Sequence, residues 1–216
     1  MPELDQRARG AQPDAGTRAV CRAPDPIAVI EEEHALQLEL CDVLEYLADS
    51  LPSAIDEGLA SVAVAILRNG LPRHMSLEEE VLFPLLRRRI AGTPHLTAML
   101  HRLEDEHDTD EGFASEIADA LESLAGREAA DDAEMLGYML RGFFECQRRH
   151  IAWENEVVLP LARQVLLPED LAEFQLRIMT SGRPLCARRP LMEIRRAGGG
   201  VRACGTCAAG SRTWLS

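Results

Sequence analysis

The chain has 216 residues, 46% of them hydrophobic but only 4% aromatic, and a formal charge of −13. It is long enough for one ordinary domain with tails, and its Ala-, Leu-, Glu- and Arg-rich composition favours helix over sheet. Its acidity argues against nucleic-acid binding, which needs a basic footprint, and no run of about 18 apolar residues is present to span a membrane.

Residues 1–24, rich in Pro, Gly, Arg and Asp, read as a disordered arm without the apolar core of a signal peptide. Asp25-Pro26 then supplies a cap followed by proline in the first turn. Ile27, Ile30, Leu36, Leu40, Val43, Leu44 and Leu47 make one apolar stripe, which predicts a first helix to about Asp49. Ser50-Leu51-Pro52-Ser53 breaks it. A second helix is predicted from about Ile55 to Ile90, bent by Pro72 and Pro84, and Ala91-Gly92-Thr93-Pro94 ends it. A third is expected from about His95 to Leu124, closed by Gly126, and a fourth from about Asp131 to Leu166, with Pro160 near its far end. Leu167-Pro168-Glu169-Asp170 opens a short fifth helix to about Thr180.

Residues 182–216 hold seven Arg against one Glu, and this Arg/Gly-rich segment reads as a disordered tail. The rest of the chain therefore stands at −19. Four long helices with short loops predict an all-α fold: an up-down-up-down four-helix bundle over residues 25–181, with a short fifth helix and disordered termini.

The six cysteines are irregularly spaced in a chain too large to be a disulfide-stapled mini-domain, so a reducing, cytoplasmic setting is expected. Cys204-Gly-Thr-Cys207 has neither a partner CxxC nor the strand-to-helix context of a redox motif. A phosphate-binding glycine loop and a nucleophile elbow are both missing from the sequence.

The informative pattern is a repeat. HMSLEEEVLFPLLR begins at His74 and HIAWENEVVLPLAR at His150. In each, a histidine and the glutamate four residues later share one helix face, a turn apart. Imidazole nitrogen and carboxylate oxygen are good ligands for iron, manganese or zinc. Depth supports convergence: at about 1.5 Å per residue, His34, His74, His107 and His150 all fall roughly 12 to 19 residues from the loops their helices share. Four histidines at one level of a bundle, with Glu78 and Glu154 at the next turn, predict a metal site. Scattered surface or core histidines are the bland alternative.

EEH at 32–34, HMSLEEEVLFP at 74–84, DEH at 105–107 and HIAWENEVVLP at 150–160 resemble the hemerythrin HHE cation-binding family over about residues 25–180. The resemblance implies a four-helix bundle around a non-haem di-iron centre, two Fe ions with Mn or Zn as alternatives. It implies His34, His74, His107 and His150 as terminal ligands and Glu78 and Glu154 as bridges. Oxygen-carrying members have a second histidine four residues after the one on the third helix. This chain has Glu111 there, a candidate seventh ligand. The expected partner is a small diatomic ligand (O2 or NO) or peroxide, or the protein handles iron. The alternative is a regulatory or interaction module whose centre senses oxygen, redox state or iron without turnover.

The neighbours of the ligands carry expectations too. Glu79 and Glu80 point off the ligand face and read as solvated carboxylates. Glu31 and Glu104, one turn before His34 and His107, either accept imidazole N–H groups or are surface charge. Cys41 and Cys146 read as buried core thiols. Trp153, Phe83, Phe143 and Phe144 would wall the site or simply pack the core. His95 and His101 fall outside it.

Overall fold

The computed structural model describes residues 25–52, 55–124 and 133–180, and all regular structure among them is helical. The expected N-terminal arm, the Gly126 stop, the Arg-rich tail and the CxxC lie outside the described residues. Helix α1 is Pro26–Ser50, begun by Asp25, whose Oδ1 accepts the Ile27 N–H at 3.1 Å. Asp56 caps α2 in the same way, accepting from Leu59 N–H at 3.0 Å. Without a break, α2 runs through Glu57–Ala65, Ile66–Gly70, Leu71–Leu77, Glu78–Leu82 and Phe83–Arg89. Gly92, at φ +90°, turns the chain in a region that glycine enters without strain, and α3, Pro94–Leu124, follows. Helix α4 is continuous through Ala133–Trp153, Glu154–Val158 and Leu159–Val165, and α5 is Pro168–Thr180. None of these helices is long and apolar enough to cross a membrane.

Three segments, Ile66–Gly70, Glu78–Leu82 and Glu154–Val158, are wide π-helical turns. Each comes just before a Leu-Pro or Phe-Pro pair: Leu71-Pro72, Phe83-Pro84 and Leu159-Pro160. The residue before each proline donates its N–H five residues back, Phe83 to the Glu78 carbonyl and Leu159 to that of Glu154. Proline lacks an N–H, and its ring would meet the carbonyl four residues earlier. Widening the turn relieves that clash and keeps the helix going. The expected bends at Pro72 and Pro84 are thus met by wide turns, and two of these begin at Glu78 and Glu154.

Cross-helix pairs fix the packing. Arg163–Glu31, Arg148–Asp42 and Arg141–Asp49 run α1 and α4 antiparallel. Arg68–Asp119 and Arg87–Glu104 do the same for α2 and α3. Asp110–Gln147 and Phe113–Phe143 do so for α3 and α4. Helix α5 is pinned by Asp170, which accepts from Arg89 at 2.7 Å and from Leu167 N–H at 2.9 Å, and it buries Phe174 and Ile178.

The core is split. One apolar cluster contains Leu40, Leu44, Leu71, Ala114, Leu140 and Phe143. The other contains Ile30, Leu82, Phe83, Leu103, Val158 and Phe174. Each fully buried Leu, Ile or Phe contributes about 1.5–3 kcal/mol. Between the two clusters the buried side chains are polar.

Candidate metal centre

On α1 the buried stripe reads Ile27, Ile30, His34, Gln37, Cys41, Leu44, Ala48, alternating three and four residues apart. On α3 it reads Leu100, Leu103, His107, Asp110, Ala114, Ile117, Leu121 in the same rhythm. The periodicity that buries leucines therefore buries a histidine from each helix. Helices α2 and α4 add His74 with Glu78 and His150 with Glu154. Five of these six are buried, and His150 keeps 7% of its side chain exposed.

The six meet. His34 Nε2 lies 3.1 Å from Glu154 Oε2 and 3.6 Å from Glu78 Oε1, and His74 Nε2 lies 3.3 Å from Glu78 Oε2. On the other side, His150 Nε2 lies 3.3 Å from Glu154 Oε1. His107 Nε2 lies 3.6 Å from Glu78 Oε2 and 3.8 Å from Glu154 Oε1. Each carboxylate stands between two histidine pairs, His34/His74 and His107/His150. Two donor groups result, His34, His74, Glu78 and Glu154, and His107, His150 and Glu154, each with its atoms within 4.8 Å of one another.

The outer nitrogen of every imidazole is held. Nδ1 of His34 lies 2.7 Å from Asn155 Oδ1, that of His74 3.0 Å from Glu33, that of His107 2.8 Å from Glu79 and that of His150 3.2 Å from Glu106. Each partner comes from a different helix and is next in sequence to one of that helix's own site residues. These oxygens only accept, which assigns the proton to Nδ1 and turns the Nε2 lone pair inward.

The result is a buried centre made of acceptors. The four oxygens of Glu78 and Glu154 and the His34 Nε2 make no hydrogen bond. His107 Nε2 and His150 Nε2 stand 3.1 Å apart. Uncompensated buried charge of this kind costs several kcal/mol, so the arrangement calls for positive charge between the side chains. Proton affinities say the same. Burial alone pulls the His34 imidazolium down, but the Glu154 and Glu78 carboxylates outweigh it and raise its pKa to about 9. His150 reaches about 9 by the same contest of burial against Glu154. Glu78 and Glu154 are held below the usual carboxylate range despite burial, by His74 and His34 and by His150 and His34. Four imidazole nitrogens and four carboxylate oxygens, all facing inward, fit iron, manganese or zinc.

Glu111 stands apart. It is exposed and off the buried stripe of α3, where Asp110 lies instead, accepting from Gln147 at 2.8 Å. Glu31 pairs with Arg163 and Glu104 with Arg87, so both are surface charge. Glu79, expected in solvent, is 34% exposed and bonded to His107, while Glu80 accepts from Ser76. Phe83 stacks on the His107 ring at 5.9 Å. Phe143 and Phe144 pack in the first apolar cluster, and Trp153 is 39% exposed. Cys41 is buried and its thiol is pushed up to about 12 by burial. Cys146 is exposed, contrary to expectation, and bonds to Arg149. His95 and His101 are exposed and outside the donor groups.

Sequence reading missed Glu33, Glu79, Glu106 and Asn155 because it looked a turn away from each ligand. The signal was adjacency: a residue beside a ligand faces the neighbouring helix, where a long side chain meets the next imidazole.

No curated protein and no solved structure matches the chain. The family model of the hemerythrin HHE cation binding domain matches residues 25–162, which hold all six converging side chains. The chain belongs to the hemerythrin HHE cation-binding family, whose domain binds metal cations.

Proposed function

We propose that the protein holds two iron ions in an up-down-up-down four-helix bundle and uses them to bind or react with O2, NO or peroxide, or to handle iron. His34 and His74 would hold one ion and His107 and His150 the other, with Glu78 and Glu154 offering oxygens to both. The observation that carries this reading is the double-sided placement of the carboxylates, each with oxygens toward both histidine pairs. A single ion would leave one pair facing nothing.

A bound iron pair supplies redox-active positions for a small ligand. The chain's own work is positional. Asn155, Glu33, Glu79 and Glu106 fix each ring and keep its Nε2 free of a proton. Glu78 and Glu154 supply two negative charges against the cations. Phe83 covers the His107 ring, and the two apolar clusters keep bulk water from the centre. With Glu111 exposed, the His107/His150 half, like the His34/His74 half, would have two histidines as its terminal ligands, which would leave a position for an exogenous ligand.

The test is metal content and absorption of protein from iron-supplemented cells, beside His74→Ala/His150→Ala. Two irons per chain, with ferric bands absent from the double mutant, is the expected result. Iron-free wild type, as well folded as the mutant, would sink the reading.

A further inference from the structure

Besides the six site residues and Asp170, three polar side chains are buried among the described residues: Gln37, Asp110 and Gln147, at 7%, 8% and 2% exposure. All three occupy one layer. Gln37 follows His34 by three residues, Asp110 follows His107 by three, and Gln147 precedes His150 by three. Because α4 runs antiparallel to α1 and α3, these offsets place all three on the same side of the metal centre. The corresponding seam position on α2, three residues before His74, is Leu71. The next residues along each stripe, Cys41, Ala114 and Phe143, belong to the apolar cluster.

A seam position between a metal centre and an apolar core is ordinarily filled by an apolar side chain. A buried amide without a partner costs about 1–3 kcal/mol relative to a satisfied one. Gln147 is satisfied by Asp110 at 2.8 Å, but the Gln37 Nε2 has no partner. The centre is a set of inward-facing acceptors suited to cations, and one turn along α1 from His34 stands a buried donor, Gln37 Nε2, that makes no hydrogen bond. An anion bound to metal ions held there would offer that donor an acceptor.

There is also a way in. A cleft of about 520 Å³ opens between α3 and α4, lined by Arg102, Glu106, Asp110, Cys146, Arg149 and His150. His150 of the centre and Asp110 of the polar layer both line it. Most arginines of this acidic body are spent on carboxylates. Arg149 has no carboxylate within ion-pair distance among the described residues; it bonds to the Glu145 carbonyl and to Cys146 Sγ, both at 3.3 Å. An unpaired guanidinium at the mouth favours a negatively charged visitor.

We propose that Gln37, backed by the Asp110–Gln147 pair, forms a hydrogen-bonding wall that selects a small anionic ligand of the metal centre over a neutral apolar diatomic, and that the Arg149 cleft admits it. This rests on the metal reading above and names the ligand class of the same site. A donor beside the bound atom strengthens with the charge on that atom, so it discriminates by charge as well as size.

The test uses the full chain, loaded with iron and oxidised, with azide as the probe, titrated by absorption. Iron is assayed before azide is added, so an iron-free wild type overturns the metal reading at that stage and this one with it. Gln37→Met keeps the length and removes the donor, and Gln37→Glu keeps the shape and reverses the hydrogen bond. Both are expected to hold wild-type iron. Azide should bind about tenfold more weakly to Gln37→Met and more weakly still to Gln37→Glu. Arg149→Gln should slow azide association and flatten its salt dependence without changing iron content. Equal azide affinity in wild type and both Gln37 variants overturns the proposal. Loss of iron from both overturns it too, because Gln37 would then support the metal itself.

Discussion

The segments HMSLEEEVLFP on α2 and HIAWENEVVLP on α4 do the same geometric work with different electrostatics. Both place a histidine and a glutamate one turn apart, begin a wide turn at that glutamate and end at a proline. They differ at the residue after the glutamate, Glu79 against Asn155, and at the layer residue three before the histidine, Leu71 against Gln147. The shared positions are those that aim donor atoms. Of the differing positions, these two set the charge and polarity beside the centre. Asn155 holds His34, which is fully buried, and a neutral amide there avoids one more buried carboxylate beside Glu78 and Glu154. Glu79 holds His107 from a position 34% exposed, where water shares its charge.

The strongest way to break this equivalence is to remove one carboxylate from each segment. Glu78→Ala and Glu154→Ala should each release both ions, since each carboxylate faces both histidine pairs. His74→Ala and His150→Ala should each empty mainly their own half. The loss in metal affinity should exceed the roughly 100-fold that removing a supporting group causes. Metal analysis and competition with a chelator distinguish the four variants. Release of one ion by either glutamate variant would mean the carboxylates do not bridge.

Removing the metal tests what the two segments do when empty. His34 and His150 have pKa values raised to about 9, so the protonated rings stabilise the metal-free fold below their unfolded value near 6.5. That contribution is lost as pH rises through about 9, and amounts at most to about 3 to 4 kcal/mol per ring, on the order of 1.4 kcal/mol per pKa unit. Metal-free protein should therefore lose thermal stability between about pH 6.5 and 9, while metal-loaded protein, with cations replacing those protons, should lose much less. Parallel melting curves against pH check this; equal slopes would mean that the histidines carry no extra protons in the empty centre.

How much of this was readable from the chain follows from the same physics. The six donors were legible because their helices are long, their periodicity is regular and His-x3-Glu recurs. The burial of Asp110 went unremarked because the offset of four from His107, which points to Glu111, was given precedence over the stripe Leu103, His107, Asp110, Ala114, which puts Asp110 inside. The wide turns left no trace in the hydrophobic period. Only the prolines marked them, and a proline in a helix pattern reads equally well as a kink. The exposure of Cys146 depends on the cleft between α3 and α4, a matter of how two helices diverge that neither sequence carries alone.

Exchanging the supports should sharpen the comparison with smaller effects. Glu79→Gln removes a charge behind His107 and should weaken metal binding by about tenfold, the low end for a lost supporting carboxylate. Asn155→Asp puts a charge behind His34, in the more deeply buried half. It should bind metal at least as tightly as wild type but make the metal-free protein less stable above about pH 9, where the His34 ring has lost its extra proton and the added carboxylate has no cation to face. Metal affinity and the melting temperature of the empty protein, measured on both, separate the two contributions. Parallel changes in both variants would mean that burial does not distinguish the two supports.

The smallest effect is expected at the prolines. If Pro84 and Pro160 alone held the wide turns open, Ala at either place would let the helix close to regular α geometry and swing Glu78 or Glu154 out of the centre. Packing argues otherwise. His74 and Met75 before the turn and Phe83, Leu85 and Leu86 after it are all buried, and closing a π-turn advances every later side chain by about 100° around the axis. That would expose several core residues at about 1.5–3 kcal/mol each, far more than one regained backbone hydrogen bond returns at about 1 kcal/mol. Pro84→Ala and Pro160→Ala should therefore keep both ions and shift stability by less than about 1 kcal/mol, within the range of ordinary exposed substitutions. Loss of metal in either variant, with the fold intact, would make the proline the residue that sets the glutamate and the surrounding core merely its follower.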